Sequence, residues 1–479
     1  MQSLDQIIDQ SMRPLADVVS SFIFYTVPIA GTDLPLIVLW LISAGVFFTL
    51  YLGFINFRGF KHAIKLVRGD YDDPNNPGEI TQFQALATAV SGTVGIGNIA
   101  GVAVAISIGG AGATFWLIVA GLLGMSTKFA ECTLGVRYRR QNPDGSVSGG
   151  PMYYLERGLA EYNWPKLGKG LGIFYAIAMV FGCLGIGNMF QSNQATAILI
   201  DVTGGENSFF ADKAWLVGLA LAISVGAVII GGIKSIAATT SRLVPFMAVL
   251  YLLTALTVLI INYQNVPAAF VAIWDGAFSP HGVAGGALGV MILGFRRAVF
   301  SNEAGLGSAS IAHASARTDK PVSEGYVGLL EPFIDTVVIC TMTALVIITT
   351  VGPEQLSANG ISGIELTTRA FESTLSWTPI PLSIAAILFA FSTTISWSYY
   401  GVKAVTYLAG ENKIAETIFK LFFLAIIVLG SSVNLSAVID LSDALVFIVA
   451  IPNIIGLYLL APIVRKELQN YRPKQPKAS

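Results

Sequence analysis

Long apolar runs alternate with short polar connectors along almost the whole chain, and the length of each run says what it can be. A helix needs about 20 apolar residues to cross a ~30 Å hydrocarbon core. Eleven runs reach or come near that length: residues 34–54, 83–108, 112–134, 171–200, 215–230, 241–261, 281–316, 326–351, 379–408, 414–431 and 444–464. Ahead of them, Leu4, Ile7, Ile8, Leu15, Val18, Val19 and Phe22 recur at helical spacing, while Asp5, Asp9, Arg13 and Asp17 step by four along another face. That pattern predicts an amphipathic helix on the membrane surface within residues 1–30, with Pro14 a potential kink. A short amphipathic helix is also predicted over G-G-P-M-Y-Y-L-E-R-G, residues 149–158, after the turn-rich N-P-D-G of residues 142–145.

Two of the eleven runs make poor helices. Residues 91–101, S-G-T-V-G-I-G-N-I-A-G, hold four glycines and an asparagine, and each glycine costs about 1 kcal/mol against alanine in a helix interior. Broken helix is tolerated in a bilayer only where protein or a water-filled cavity satisfies the freed N–H and C=O groups. The stretch therefore predicts a discontinuous helix lining a binding site; tight packing of small residues between helices is the competing reading. The run at 281–316 is again rich in glycine and polar groups.

Composition agrees with the spans. Of 479 residues, 54% are hydrophobic and 12% charged, against about 25% charged in a soluble protein, and mean hydropathy is +0.68. A net charge of −1 gives no global field to attract a nucleic acid, so the basic residues matter by location. The connectors after spans one, three, five, seven and nine, with the tail at 465–477, hold nearly all of them, beginning with Arg58, Lys61, Lys65 and Arg68. The other side carries only Arg13, Lys213 and Arg369, besides Arg296 and Arg297 within a span. Basic connectors face the cytoplasm, which places the C-terminus inside and the N-terminus outside a cell membrane crossed many times. Cys132, Cys183 and Cys340 lie in apolar stretches without metal spacing and read as buried thiols, and His62, His281 and His313 form no metal motif. The first 25 residues lack the basic start and continuous apolar core of a cleavable signal peptide.

Spans two to six and seven to eleven are each five helices long, and each set opens on a broken helix, with G-N-I-A-G at 97–101 and S-N-E-A-G at 301–305. An odd number of spans per repeat requires that the halves be inverted, and paired Gly-interrupted segments are the pointer to an inverted-repeat transporter. The expected layout is an interfacial helix (1–30), an extra span (31–57), two five-helix repeats (80–262 and 263–465) and a cytoplasmic tail (466–479). Nearly the whole chain resembles the alanine or glycine:cation symporters, which belong with LeuT-type transporters. The motifs are residues 91–101, G-G-A-G-A-T-F-W at 109–116, G-G-P-M-Y-Y-L-E at 149–156, and F-S-N-E-A-G-L-G-S-A at 300–309 with I-A-H-A-S-A after it. The chain departs from the usual pattern at Leu117 and Ile118, after the F-W pair, and at Ala298, which follows Arg296 and Arg297. The resemblance implies an all-α membrane protein with a 5+5 inverted-repeat core.

A small zwitterion needs donors for its carboxylate, acceptors for its ammonium and a cavity of the right size. Unwound backbone at residues 93–97 frees N–H groups where a half-helix begins, a setting that favours an anion, so Thr93, Gly95, Gly97 and Asn98 are substrate candidates. Gly95 and Gly97 let a ligand approach the main chain; helix packing is their alternative role. Gln191 must find a partner in hydrocarbon, either the substrate or a neighbouring helix, and the resemblance favours the substrate. Val299, Phe300, Ser301 and Asn302 are candidates for the opposite wall, and Trp397 for a cap. Ala390, Thr393 and Thr394 share one helix face, and the resemblance implies that their oxygens complete a sodium site with the carbonyls of Ser91 and Val94. It also likens Asn98 to a position that serves a second sodium. Arg296, Arg297, Glu303 and Asp335 lie in or near spans, where a gating ion pair and an interfacial anchor are the two readings.

The expectation is sodium-coupled uptake of alanine or glycine by alternating access, with sodium co-transported, the bilayer as surroundings, and no nucleic acid or obligate protein partner. Proton coupling through Glu303 or Asp335 is the alternative. A channel fits poorly with two related halves in one subunit, and an enzyme lacks a nucleophile with its base or a metal site.

Overall fold

The computed structural model describes residues 14, 17–29, 32–278, 286–351, 363–433 and 435–472. The protein is almost entirely helical. Among the described residues seven helices are long and apolar enough to cross a membrane, or eight when one bent pair counts as a single span. Most of the interfacial helix expected within residues 1–30 falls outside these bounds. Residues 17–23 are helical, and an unexpected antiparallel hairpin follows, β1 (Thr26–Ile29) against β2 (Thr32–Pro35), with Thr26 opposite Pro35.

Pro35 then starts α1 (Leu36–Tyr51), only 16 residues long, and Gly53 and Phe54 end it with positive φ of 66° and 56°. The basic connector holds α2 (Phe60–Val67). The first broken span is α3 (Gln82–Thr93), a 3₁₀ turn at Ile96–Asn98, and α4 (Ala100–Gly109), bent by 60° at the break. Thr81 and Gln84 close a reciprocal capping box at its start, satisfying two donors at the helix N-terminus.

The spans that follow are α5 (Ala113–Arg137), then α6 (Pro151–Glu161) as the predicted short helix, and α7 (Pro165–Leu184), which continues through a π-helical stretch at Gly185–Met189 into α8 (Phe190–Val202). Next are α9 (Ala214–Ile229) and α10 (Gly232–Ile261), joined so tightly that the expected connector lies inside α10. An unanticipated helix, α11 (Val266–Phe278), precedes α12 (Gly286–Asn302). After a break at 303–308 come α13 (Ala309–His313) and α14 (Pro321–Gly328); beyond a second π-helical stretch, Phe333–Cys340, lies α15 (Thr341–Thr350). The short α16 (Ile364–Glu372) leads to α17 (Pro379–Leu408), α18 (Lys413–Ser431) and α19 (Leu435–Asn470).

These elements pack so that the breaks come to the centre. The first broken helix lies against α10 and α17, while α5 packs on α12 and α14. Small residues set the spacing: a Cβ on Gly124 would come within 2.8 Å of Ala304 Cβ, and one on Gly294 within 2.7 Å of Ala113 O. Helices without a hydrophobic drive between them pack best through such contacts.

Candidate functional site

The first helix stops because Val94 turns to ψ 90° and Gly95 is extended, at φ −132° and ψ −164°. Two freed donors find partners within the chain. Gly95 N–H donates to Asn98 Oδ1 at 2.8 Å, and Ile96 N–H to Gln191 Oε1 at 3.2 Å. Gln191 in turn donates to Ile186 O at 3.0 Å, a carbonyl within the π-helical stretch. A ligand carboxylate at these N–H groups would exchange with Asn98 or Gln191 rather than fill unpaired donors.

The two glycines differ in their surroundings. A Cβ on Gly95 would lie 2.7 Å from Thr393 Oγ1 and 3.1 Å from Gln191 Oε1, whereas one on Gly97 would meet only the Phe300 ring, at 3.6 Å. Neither has positive φ, so conformation does not require glycine; crowding against Thr393 does at Gly95, whereas the protein leaves room for a methyl at Gly97. Phe300 stands edge-on to Phe190 with ring centres 5.3 Å apart, and Val299 is buried beside it in sequence.

Of the five expected cation oxygens, three meet between the first broken helix and α17. Thr393 Oγ1 donates to Ser91 O at 2.9 Å and reaches Val94 O at 3.4 Å. Ser91 Oγ ties the same pair of helices by donating to Ser392 O at 2.7 Å. Thr394 turns instead to Ala390 O one turn back, at 2.8 Å, and Thr93 donates to Val90 O in its own helix, at 3.2 Å.

Trp397 lies further along α17. It donates to Gly92 O at 3.2 Å and to Glu303 Oε1 at 3.0 Å, and it packs on Gly187 and Tyr400. Its held position is thus against the ends of both broken helices, while the wall beside Gly97 is made by Phe300.

Asp335, read from the sequence only as a charge to be paired or a proton carrier, is drawn by the fold into the contact between the two breaks. Fully buried, it accepts from Asn98 Nδ2 at 2.5 Å, from Ser301 Oγ at 2.8 Å and from Thr336 Oγ1 at 2.7 Å, and so joins the two breaks. Asn302 donates to Thr336 Oγ1 at 3.0 Å and accepts from Ala304 N–H at 3.0 Å. The available signal was an acid followed by threonine inside an otherwise apolar run.

The second break rests on charge. Glu131 Oε1 accepts from Gly305 N–H at 3.0 Å, Gly307 N–H at 3.1 Å and Asn453 Nδ2 at 2.9 Å. Buried Lys128 pairs with Glu331 at 2.8 Å, and His313 sits between Glu331 (3.0 Å) and Glu324 (2.9 Å). Hydropathy hid Lys128 and Glu131, because two charges in a 25-residue helix barely lower its average. Arg296 and Arg297 both pair with buried Asp443 of α19, at 2.8 and 3.0 Å, Arg297 being buried and Arg296 partly exposed.

Residues 17–479 match the model of the "Sodium:alanine symporter family". The sodium/alanine symporter AgcS of Methanococcus maripaludis is 40% identical over 439 residues, covering 91% of this chain and 94% of that one. A probable sodium/glutamine symporter, GlnT of Bacillus subtilis, is 34% identical and covers 92% of this chain and 89% of its own length. Among solved structures, MhsT in complex with L-phenylalanine superposes with a TM-score of 0.56 at 16% identity, over 82% of this chain and 98% of MhsT, and so shares the fold. With a family model covering nearly its whole length and relatives aligned over about nine-tenths of theirs, the chain belongs to the sodium:alanine symporter family, a family of membrane transporters and not of enzymes.

Proposed function

We propose that the protein carries a small neutral amino acid, alanine or glycine, into the cell together with sodium, by alternating access. The observation that supports this most is the meeting of Thr393 Oγ1 with the Ser91 and Val94 carbonyls. Neutral oxygens brought from two helices suit a hard alkali cation, and an ion held between them would favour one arrangement of the two repeats over another. The substrate would sit beside Gly95, Gly97 and Phe300, with Gln191, Asn98, Val299, Ser301 and Asn302 around it. One sodium moved through 100 mV contributes about 2.3 kcal/mol, enough for appreciable accumulation.

The reading includes eleven crossings, the N-terminus outside and the C-terminus in the cytoplasm, and inverted repeats at 80–262 and 263–465. Proton coupling is the second reading, favoured by the carboxylate of Asp335 between Asn98 and Ser301. Labelled alanine uptake into proteoliposomes separates the two. An inward sodium gradient at equal pH should drive accumulation; accumulation under a proton gradient alone, without sodium, would favour the second reading.

A further inference from the structure

A cavity of about 600 Å³ opens on the basic side, away from the transport path, where the end of α1 meets α2, Tyr326 and the last turns of α19. Its lining includes Arg58, Arg465 and His62, with Tyr326, Gln469 and Tyr471 adding polar groups, and no carboxylate lines it. Both arginines are exposed, and no ion pair engages either of them among the described residues. Arg58 donates to Gly53 O at 3.1 Å, leaving further N–H groups. Arg465 stands over the Tyr51 ring, 4.8 Å from its centre. His62 bonds to Tyr471 Oη at 2.8 Å; burial, then the charge of Lys65, hold its imidazole below the ordinary value, so at neutral pH it serves as a hydrogen-bond partner and the arginines carry the charge.

Apolar surface adjoins these cations. Leu50 at the cavity edge is 60% exposed, and Phe54 and Phe57 are 50% and 61% exposed. Ile64, with Lys61 and Lys65, lies on the exposed face of α2, whose Ala63 and Leu66 are buried. Uncompensated arginines, tyrosines and neighbouring exposed apolar side chains together match an amphiphile with an anionic head. Bidentate guanidinium groups suit phosphate oxygens.

We infer that this cavity seats the phosphate headgroup of an anionic glycerophospholipid, with its acyl chains along Leu50, Phe54 and Phe57. The bound lipid links the first span to the last helix, two elements at opposite ends of the chain.

The full-length protein in detergent, supplied with equal phosphatidylglycerol and phosphatidylcholine, is delipidated stepwise and followed by native mass spectrometry. Wild type should retain phosphatidylglycerol selectively, and Arg58→Gln with Arg465→Gln should lower that retention by about tenfold. Lys166→Gln with Lys169→Gln, which removes the same charge from another exposed part of the basic side, should leave retention unchanged. A parallel arm offers inorganic phosphate alone and reads the melting temperature. Equal retention of the two lipids, equal loss in both double variants, or stabilisation by free phosphate matching that by the lipid would each overturn the assignment.

Discussion

The two broken helices solve one problem, unpaired backbone inside a membrane, with different chemistry. At the first break the partners are neutral: the amides of Asn98 and Gln191, and the Thr393 hydroxyl on the Ser91 and Val94 carbonyls. At the second they are carboxyl groups, with Glu131 gathering two N–H groups and an amide while Glu303 holds Trp397 and Ser308. The conformations differ as well. The first break keeps negative φ, whereas the second places Glu303, Gly305 and Gly307 at +58°, +95° and +76°. Neutral partners exchange with a ligand at little electrostatic cost. A buried carboxyl oxygen bonded to three donors exchanges poorly, because releasing it leaves the oxygen and all three donors unpaired. The first break is therefore suited to binding and the second to holding the frame around it.

Substitutions should separate these roles. The largest effect is expected at Glu131, since Glu131→Ala strands two N–H groups, the Asn453 amide and part of the balance for Lys128. Breaking such a buried charged network costs about 3 to 5 kcal/mol, so little folded protein should survive membrane extraction and size-exclusion chromatography. Glu131→Gln keeps the accepting oxygen and should recover much of it; equal yields of the alanine variant and wild type would remove the structural role assigned to the second break.

Next comes the pair of glycines at the first break. Gly95→Ala pushes a methyl to 2.7 Å from Thr393 Oγ1, and uptake should be lost along with sodium dependence. Gly97→Ala meets no protein atom closer than 3.6 Å, so its melting temperature should match wild type while substrate binding falls steeply.

The threonines should give a smaller, graded effect. Thr393→Val removes the hydroxyl that touches both carbonyls and should raise the sodium needed for half-maximal uptake by about tenfold or more. Thr394→Val removes one bonded back to its own helix, and a lesser shift is expected. Sodium titrations of uptake with the order reversed would show that the ion sits on the Thr394 side.

The mildest test concerns Trp397. Trp397→Phe removes the bonds to Gly92 and Glu303 while retaining an aromatic ring, a net loss of about 1 to 3 kcal/mol for the group left unpaired. Turnover should slow with alanine selectivity over leucine preserved, because Phe300 forms the wall beside Gly97. A broadened selectivity in competition assays would return Trp397 to the pocket.

Much of the frame was readable in the residues. The glycines at 92, 95, 97 and 101 announced the break, and α17 runs from Pro379 to Leu408 as its apolar run does, because a proline at its start and turn residues after it bound the helix in sequence. The spacing of Thr393 told that it shares a face with Ala390, but only packing decides that it turns to Ser91 while Thr394 turns back. Hairpin β1–β2 and helix α16 went unseen because short elements carry no long period to detect, and α11 because its 13 largely apolar residues are too few to cross a membrane. Lys128, Glu131, His313, Glu324 and Glu331 converge from separate segments, and no single window of sequence brings them together.

The central claim, that the first break binds the ligand, is tested most directly by calorimetric titration of alanine into wild type and Gly97→Ala in detergent, each with sodium and with choline replacing it. Wild type should bind alanine in sodium and weakly or not at all in choline, and Gly97→Ala should not bind in either while melting at the wild-type temperature. Alanine binding by an intact Gly97→Ala protein with undiminished affinity would contradict the account, for the ligand would then lie elsewhere than against the backbone of the first break.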